Sequence, residues 1–248
     1  MPWIRLLREN GYKVYAVVAS GAWNDRIEAG GAEYVEWKLS RSGQNPFAEV
    51  GSVLGLTNIL RKIKPDIVQN FHTKPNIYAP IASKLARVPV TVSTVTGLGY
   101  TFVERRGLGS KLSKRLNLAM YSFSNRLANE IAFQNPDDME LLRSRGGLSR
   151  TKGCMIPGGS GIDLTEYSPG THNSPESLEL RQSLDIPTDA FVAMFVGRLQ
   201  LDKGLTEFVE AARMLNKKRK NIAFVMVGAP DPGNKRLVPE STLARWKS

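Results

Sequence analysis

The sequence predicts an α/β chain built as two parallel-sheet domains. Short apolar runs alternate with longer amphipathic stretches along its whole length, the pattern of strands joined by crossover helices. Turn-forming Gly, Pro, Asn and Asp fall between those runs. At 248 residues and 42% hydrophobic content, there is material for two modest cores.

The first predicted element is a helix over residues 2–10, with Gly11 as its C-terminal cap. Strands are predicted over 12–19, 34–37, 66–71, 90–95 and 130–133. Helices over 46–64, 77–86, 108–128 and 136–143 lie between them. Pro46 and Pro136 sit in the first turns of their helices, where a missing N–H costs nothing. A polar stretch with Pro169 and Pro175 reads as a connection. A second α/β unit follows: a buried strand over 190–196, an amphipathic helix over 205–218, a strand over 222–227 and a polar tail. The predicted division is therefore 1–170 and 171–248. A doubly wound sheet normally opens with a strand that lies centrally, whereas this chain opens with a helix. The first domain is thus expected to lack its first strand and the second to be incomplete, with unpaired edges, weak stability and little or no catalysis in isolation.

Composition narrows the function. One cysteine, Cys154, excludes an internal disulfide, and with only His72 and His172 beside it a zinc site is not expected. No run of apolar residues is long enough to span a bilayer, and the N-terminus does not read as a signal peptide. The cytosol is the expected compartment. The net charge of +11 is uneven: residues 1–150 hold 21 Lys/Arg against 12 Asp/Glu, and 151–248 hold 13 against 11. Arg105, Arg106, Lys111, Lys114, Arg115 and Arg126 form the densest stretch, with no acid among them. Such a stretch faces an anionic partner or is a solvated helix face.

Segment 197–204, Gly-Arg-Leu-Gln-Leu-Asp-Lys-Gly, follows a predicted strand and opens a predicted helix, the place where open α/β sheets bind ligands. Gly197 lets the backbone pass close to a ligand. Lys203 and Gly204 lie at the helix N-terminus, whose free N–H groups favour phosphate. Arg198 can fork onto phosphate oxygens while Lys203 supplies a point charge. Two cations there suit a diphosphate; alone, the pattern is equally that of a surface loop with two ordinary cations.

The same segment, preceded by Ile156-Pro-Gly-Gly-Ser-Gly-Ile-Asp163 and Tyr167-Ser-Pro169, resembles the family 4 glycosyltransferases of GT-B fold. The first half is similar to the subgroup extending bacterial polyprenyl-diphosphate-linked sugars, through Asn45-Pro-Phe47, Lys64-Pro-Asp-Ile-Val68, Lys74-Pro-Asn-Ile-Tyr78, Thr94-Val-Thr-Gly-Leu-Gly-Tyr100 and Phe133-Gln-Asn-Pro-Asp-Asp138. The resemblance covers nearly the whole chain. It implies retaining transfer from a nucleotide-sugar donor, UDP-linked, to a polyprenyl-diphosphate-linked sugar acceptor in surface-glycan synthesis. It implies no catalytic metal and no further cofactor. Gly197, Arg198, Lys203 and Gly204 take the donor-phosphate role.

Thr96, Gly97 and Gly99 form either a loop whose glycines admit the acceptor's diphosphate or a simple tight loop; many relatives carry His near Thr96, and this sequence departs from them there. Gly159 and Gly161 belong to a glycine-rich turn that is a cleft wall or a plain interdomain loop. His72 ends a strand on the ligand side, as a hydrogen-bonding or proton-transfer group or as a structural histidine. The basic 105–126 stretch is expected to lie on the inner face of the plasma membrane. A nucleic-acid-binding protein is the competing class, and it should interleave aromatics with exposed cations or carry a recognised module. Neither is present, so no nucleic-acid partner is expected. A noncatalytic partner or remnant module and a sugar-nucleotide epimerase are the remaining alternatives.

Overall fold

The computed structural model describes residues 2–21, 23–39, 46–98, 108–149, 152–162, 164–165, 167–168, 174–218, 221–230 and 236–247. They form two compact units, Met1–Leu164 and Thr165–Ser248.

The first unit begins with α1 (Pro2–Glu9), β1 (Tyr15–Val18), α2 (Asn24–Ala29) and β2 (Glu33–Glu36). It continues with α3 (Pro46–Ile63), β3 (Ile67–Phe71), α4 (Thr73–Ala86), β4 (Val90–Val95) and α5 (Leu108–Leu127). β5 (Glu130–Phe133), α6 (Pro136–Ser144) and β6 (Cys154–Met155) complete it. β1 and β2 pair in parallel, and β3-β4-β5-β6 make a separate parallel sheet. No pairing joins β2 to β3 among the described residues. Tyr121, Ile131, Phe133, Leu142 and Val95 are buried in one core that also takes in Trp37, Leu56 and Leu60. That core joins helices and strands from β2 onward, and three consecutive residues of β5, Ile131, Ala132 and Phe133, are buried.

Local chemistry explains most helix ends. Asn135 accepts from the Asp138 backbone N–H at 2.8 Å and caps α6, with Pro136 in its first turn. Lys152 Nζ donates to the Asn125 carbonyl in the last turn of α5 and to the Ala128 carbonyl just past it, satisfying acceptors the helix leaves open. Helix α4 starts at Thr73, earlier than the predicted 77. Pro75 falls in its first turn, where no intrahelical N–H bond is lost.

The second unit holds α7 (Pro175–Ser183), β7 (Phe191–Val196), a short 3₁₀ turn (Leu201–Lys203), α8 (Leu205–Asn216), β8 (Ile222–Val227) and α9 (Glu240–Lys247). α7 replaces part of the predicted connection, capped by Ser174, whose Oγ accepts from the Ser177 N–H. α9 replaces the predicted tail. β7 and β8 pair in parallel over six residues. One face of this pair packs on α8 through Phe195, Phe208 and Phe224, with ring centroids 6.0 and 5.6 Å apart. The other face leaves Met194 54% and Val196 72% exposed. The prediction of a buried β7 is thus corrected: its apolar run is covered on one side only among the described residues.

Candidate functional site

In the first unit, the carboxyl edge of the four-stranded sheet gathers most of the predicted acceptor-side residues. β3 runs into His72, β4 into Thr96 and Gly97, and β5 into Gln134. Thr96 Oγ1 and His72 Nδ1 share a hydrogen bond of 3.0 Å, so two residues 24 apart in sequence meet. The His72 ring is exposed, which departs from a partly buried structural histidine. Its backbone is at φ 69, ψ 167, a region occupied almost only by glycine.

A buried amide network holds that conformation. Asn76 donates its backbone N–H to the His72 carbonyl at 3.0 Å and its side-chain Nδ2 to the Thr94 carbonyl at 2.9 Å. Asn70 Nδ2 bonds both Asn76 Oδ1 and Ser93 Oγ at 2.9 Å. Strain of this kind costs ~1–3 kcal/mol. His72→Gly is therefore expected to stabilise the first unit by a net ~1–2 kcal/mol after the added unfolded-state entropy, read as a higher urea midpoint. A lowered midpoint would remove strain from the account.

The glycine turn is tied to the same edge. Ile156 N–H bonds the Phe133 carbonyl at 2.8 Å, and Gln134 Nε2 donates to Ser160 Oγ. Gly159 and Gly161 stand at φ 68 and 64, and a Cβ at either, or at Gly97, would meet nothing within 4 Å. Backbone conformation at the turn, with open space above it, is what selects glycine there. Gly99 lies outside the described residues, as do Arg105, Arg106, Asn45, Tyr100, Asp163 and Pro169 of the sequence motifs. Burial pushes the Tyr121 hydroxyl up to about 12, so it stays protonated beneath this edge.

In the second unit, the predicted phosphate segment is anchored from below. Gly197 N–H bonds the Val227 carbonyl at 2.9 Å, and Leu199 pairs with Val238 through the Val238 N–H at 3.0 Å. Gln200 bridges Leu237, and Leu205 and Val238 are buried under the loop. Arg198 and Lys203 are exposed above it. Gly204 adopts the left-handed conformation at φ 81, ψ 20 and starts α8, which makes the turn from strand edge to helix N-terminus that presents free N–H groups. The sequence pattern missed one participant. A Cβ on Gly228 would lie 1.8 Å from the Gly197 carbonyl oxygen, so only glycine lets the end of β8 pass the loop.

Among the described residues, no group of three or more His, Cys, Asp or Glu side chains could hold a metal, and no helix is long and apolar enough to cross a membrane.

With this geometry in place, similarity to known proteins is informative. A "glycosyl transferase 4-like" family model matches residues 1–135, and a "glycosyl transferases group 1" model matches 176–244. Over 231 residues the chain is 28% identical to the N,N'-diacetylbacillosaminyl-diphospho-undecaprenol α-1,3-N-acetylgalactosaminyltransferase of Campylobacter jejuni, covering 93% of this chain and 60% of that protein. Over 183 residues it is 27% identical to the UDP-Gal:α-D-GlcNAc-diphosphoundecaprenol α-1,3-galactosyltransferase of Escherichia coli, covering 73% and 44%. The crystal structure of Anabaena HepE with UDP and glucose superposes with a TM-score of 0.69 at 18% identity, over 99% of this chain and 60% of that one. That likeness shows the fold, which is GT-B. The chain spans about 60% of the length of the first of these relatives.

Proposed function

The chain belongs to the glycosyl transferase 4-like family, and from that premise we propose that it transfers a sugar from a UDP-linked donor to a polyprenyl-diphosphate-linked sugar acceptor. The observation that carries the reading is the loop of Gly197, Arg198, Lys203 and Gly204 at the N-terminus of α8, inside the segment that matches the group 1 transferases. A departing UDP gains negative charge as the glycosidic bond breaks. Preorganised cations and helix N–H groups stabilise that charge more in the transition state than in the ground state. The second unit is thereby the donor side.

The first unit is the acceptor side, with His72 and Thr96 facing the acceptor sugar and Gly97, Gly99, Gly159 and Gly161 admitting its diphosphate close to the backbone. His72 serves as a hydrogen-bonding or proton-transfer group. The transfer is retaining and needs no metal at the reacting centre. The basic 105–126 stretch lies on an anionic membrane surface, where a lipid-linked acceptor is found, and places the protein at the periphery of the cytoplasmic membrane.

The test supplies UDP-sugars and a polyprenyl-diphosphate-linked N-acetylhexosamine, and measures label entering the lipid extract. Transfer with an α-linked product is expected. Absence of transfer by a chain that binds UDP, across a panel of donor sugars and acceptors, would remove the enzymatic reading and favour a noncatalytic partner role.

A further inference from the structure

His72 keeps a costly backbone conformation, and its ring serves neither the helix nor the core beside it. It stands at the N-cap of α4, yet its side chain makes no capping hydrogen bond there, the contact by which an N-cap side chain normally stabilises a helix. The ring is exposed, so it fills no core. What it does make is the 3.0 Å bond between Nδ1 and Thr96 Oγ1. Strained backbone of this kind persists where the surrounding structure enforces it, and it gathers at functional sites.

The backbone on both sides of that bond is held. Asn76, only 1% exposed, takes the His72 carbonyl through its backbone N–H and the Thr94 carbonyl through its side chain. Thr94 Oγ1 also accepts from Gln69 Nε2 at 3.2 Å, and the Val95 carbonyl accepts the Gln134 N–H at 3.2 Å. The chain entering Thr96 is thus gripped from β3, from α4 and from the end of β5. The start of α4 is tied down as well: Lys74 pairs with Glu49 of α3 at 2.7 Å, and the Tyr78 hydroxyl donates to the same carboxylate. Thr96 itself is half-buried. Two side chains on loose loops would lose such a bond to water and to rotamer entropy. Here the backbone is ordered before the side chains meet.

An imidazole has two ring nitrogens, and the partner of one decides what the other does. Nδ1 is engaged by a hydroxyl, which can donate or accept. The bond therefore survives in both the neutral and the protonated ring. Among the described residues Nε2 has no hydrogen-bond partner.

We propose that Thr96 is a positioning residue: it fixes the His72 ring through Nδ1, so that Nε2 hydrogen-bonds a sugar hydroxyl of the acceptor. This rests on the reading of the first unit as the acceptor side.

The test follows the imidazoles by NMR of 15N-histidine-labelled protein. The chain has two, His72 and His172, and His72→Gln assigns them. Thr96→Val removes the hydroxyl at nearly constant shape, and Thr96→Ser restores it. Valine is expected to displace the His72 Nδ1 resonance and leave His172 in place, while serine returns the wild-type position. In transfer assays, Thr96→Val should lower kcat about tenfold or more with the donor KM unchanged. Serine should recover that loss, and Thr96→Val added to His72→Gln should cost nothing further. Urea midpoints equal to wild type show that the variants keep the fold. An Nδ1 resonance indifferent to residue 96 overturns the proposal. So does a kcat loss that serine fails to recover, or one of the same size in the His72→Gln background, which would make Thr96 act on the substrate by itself.

The transferase reading is separable. Transfer by the wild type with an Nδ1 resonance indifferent to residue 96 would sink the positioning role and leave the enzyme. An Nδ1 resonance that answers to residue 96 in a chain that transfers no sugar would overturn the acceptor role together with the transferase reading, and leave only the bond.

Discussion

Replacing Arg198 with alanine is expected to lower sugar transfer by roughly 10²–10³-fold, the usual loss when one donor to a developing charge is removed. UDP binding should weaken less, by about 1.5–3 kcal/mol, the worth of a hydrogen bond to a charged group. The difference between the two losses is the diagnostic. A cation that merely tethers UDP would raise KM and leave kcat alone, whereas one that stabilises the leaving diphosphate lowers kcat. Lys203→Ala should act in the same direction with a smaller effect, because an exposed ammonium offers a point charge where Arg198 offers a planar fork. Unchanged turnover in both variants would sink the clamp.

Gly228→Ala should be nearly as damaging, although residue 228 carries no chemistry. Its added methyl would stand 1.8 Å from the Gly197 carbonyl oxygen, well inside contact distance. Backbone cannot swing aside as the end of a long side chain can, so the loop after β7 has to move. Overpacking costs ~1–3 kcal/mol and sometimes more, and the displaced segment is the one that carries Arg198. The expected result is a lower denaturation midpoint together with loss of UDP binding. An intact midpoint with normal UDP affinity would mean that the loop sits elsewhere in solution.

These two residues mark where the sequence is legible. Arg198 and Lys203 could be found because strand, loop and helix follow one another, so the local pattern alone places two cations at a helix N-terminus. Gly228 could not, because its constraint comes from a backbone 31 positions away. β4 and β5 were readable to the residue, since each is a short run rich in β-branched or apolar residues bounded by turn-forming and polar ones. α7 and α9 were not: α7 buries no residue and shows no apolar stripe, so its evidence is confined to the Ser174 cap and Pro175. His72 and Thr96 were each picked out as strand ends. Their hydrogen bond depends on β3 and β4 pairing in register, Phe71 against Thr94. The Glu49–Lys74–Tyr78 cluster joins positions 25 and 29 apart, and it became visible only once α3 lay beside α4.

Every strand pair in the described residues joins chain neighbours: β1 with β2, β3 through β6 in order, and β7 with β8. No strand waits for a partner made much later. Sequence-local pairing lowers the loop-closure cost of each step, so the chain can build its sheets in the order of synthesis. The break between β2 and β3 interrupts that succession. The parallel β1–α2–β2 unit lies at that break, and amide exchange there should report opening at a lower free energy than in β4 and β5.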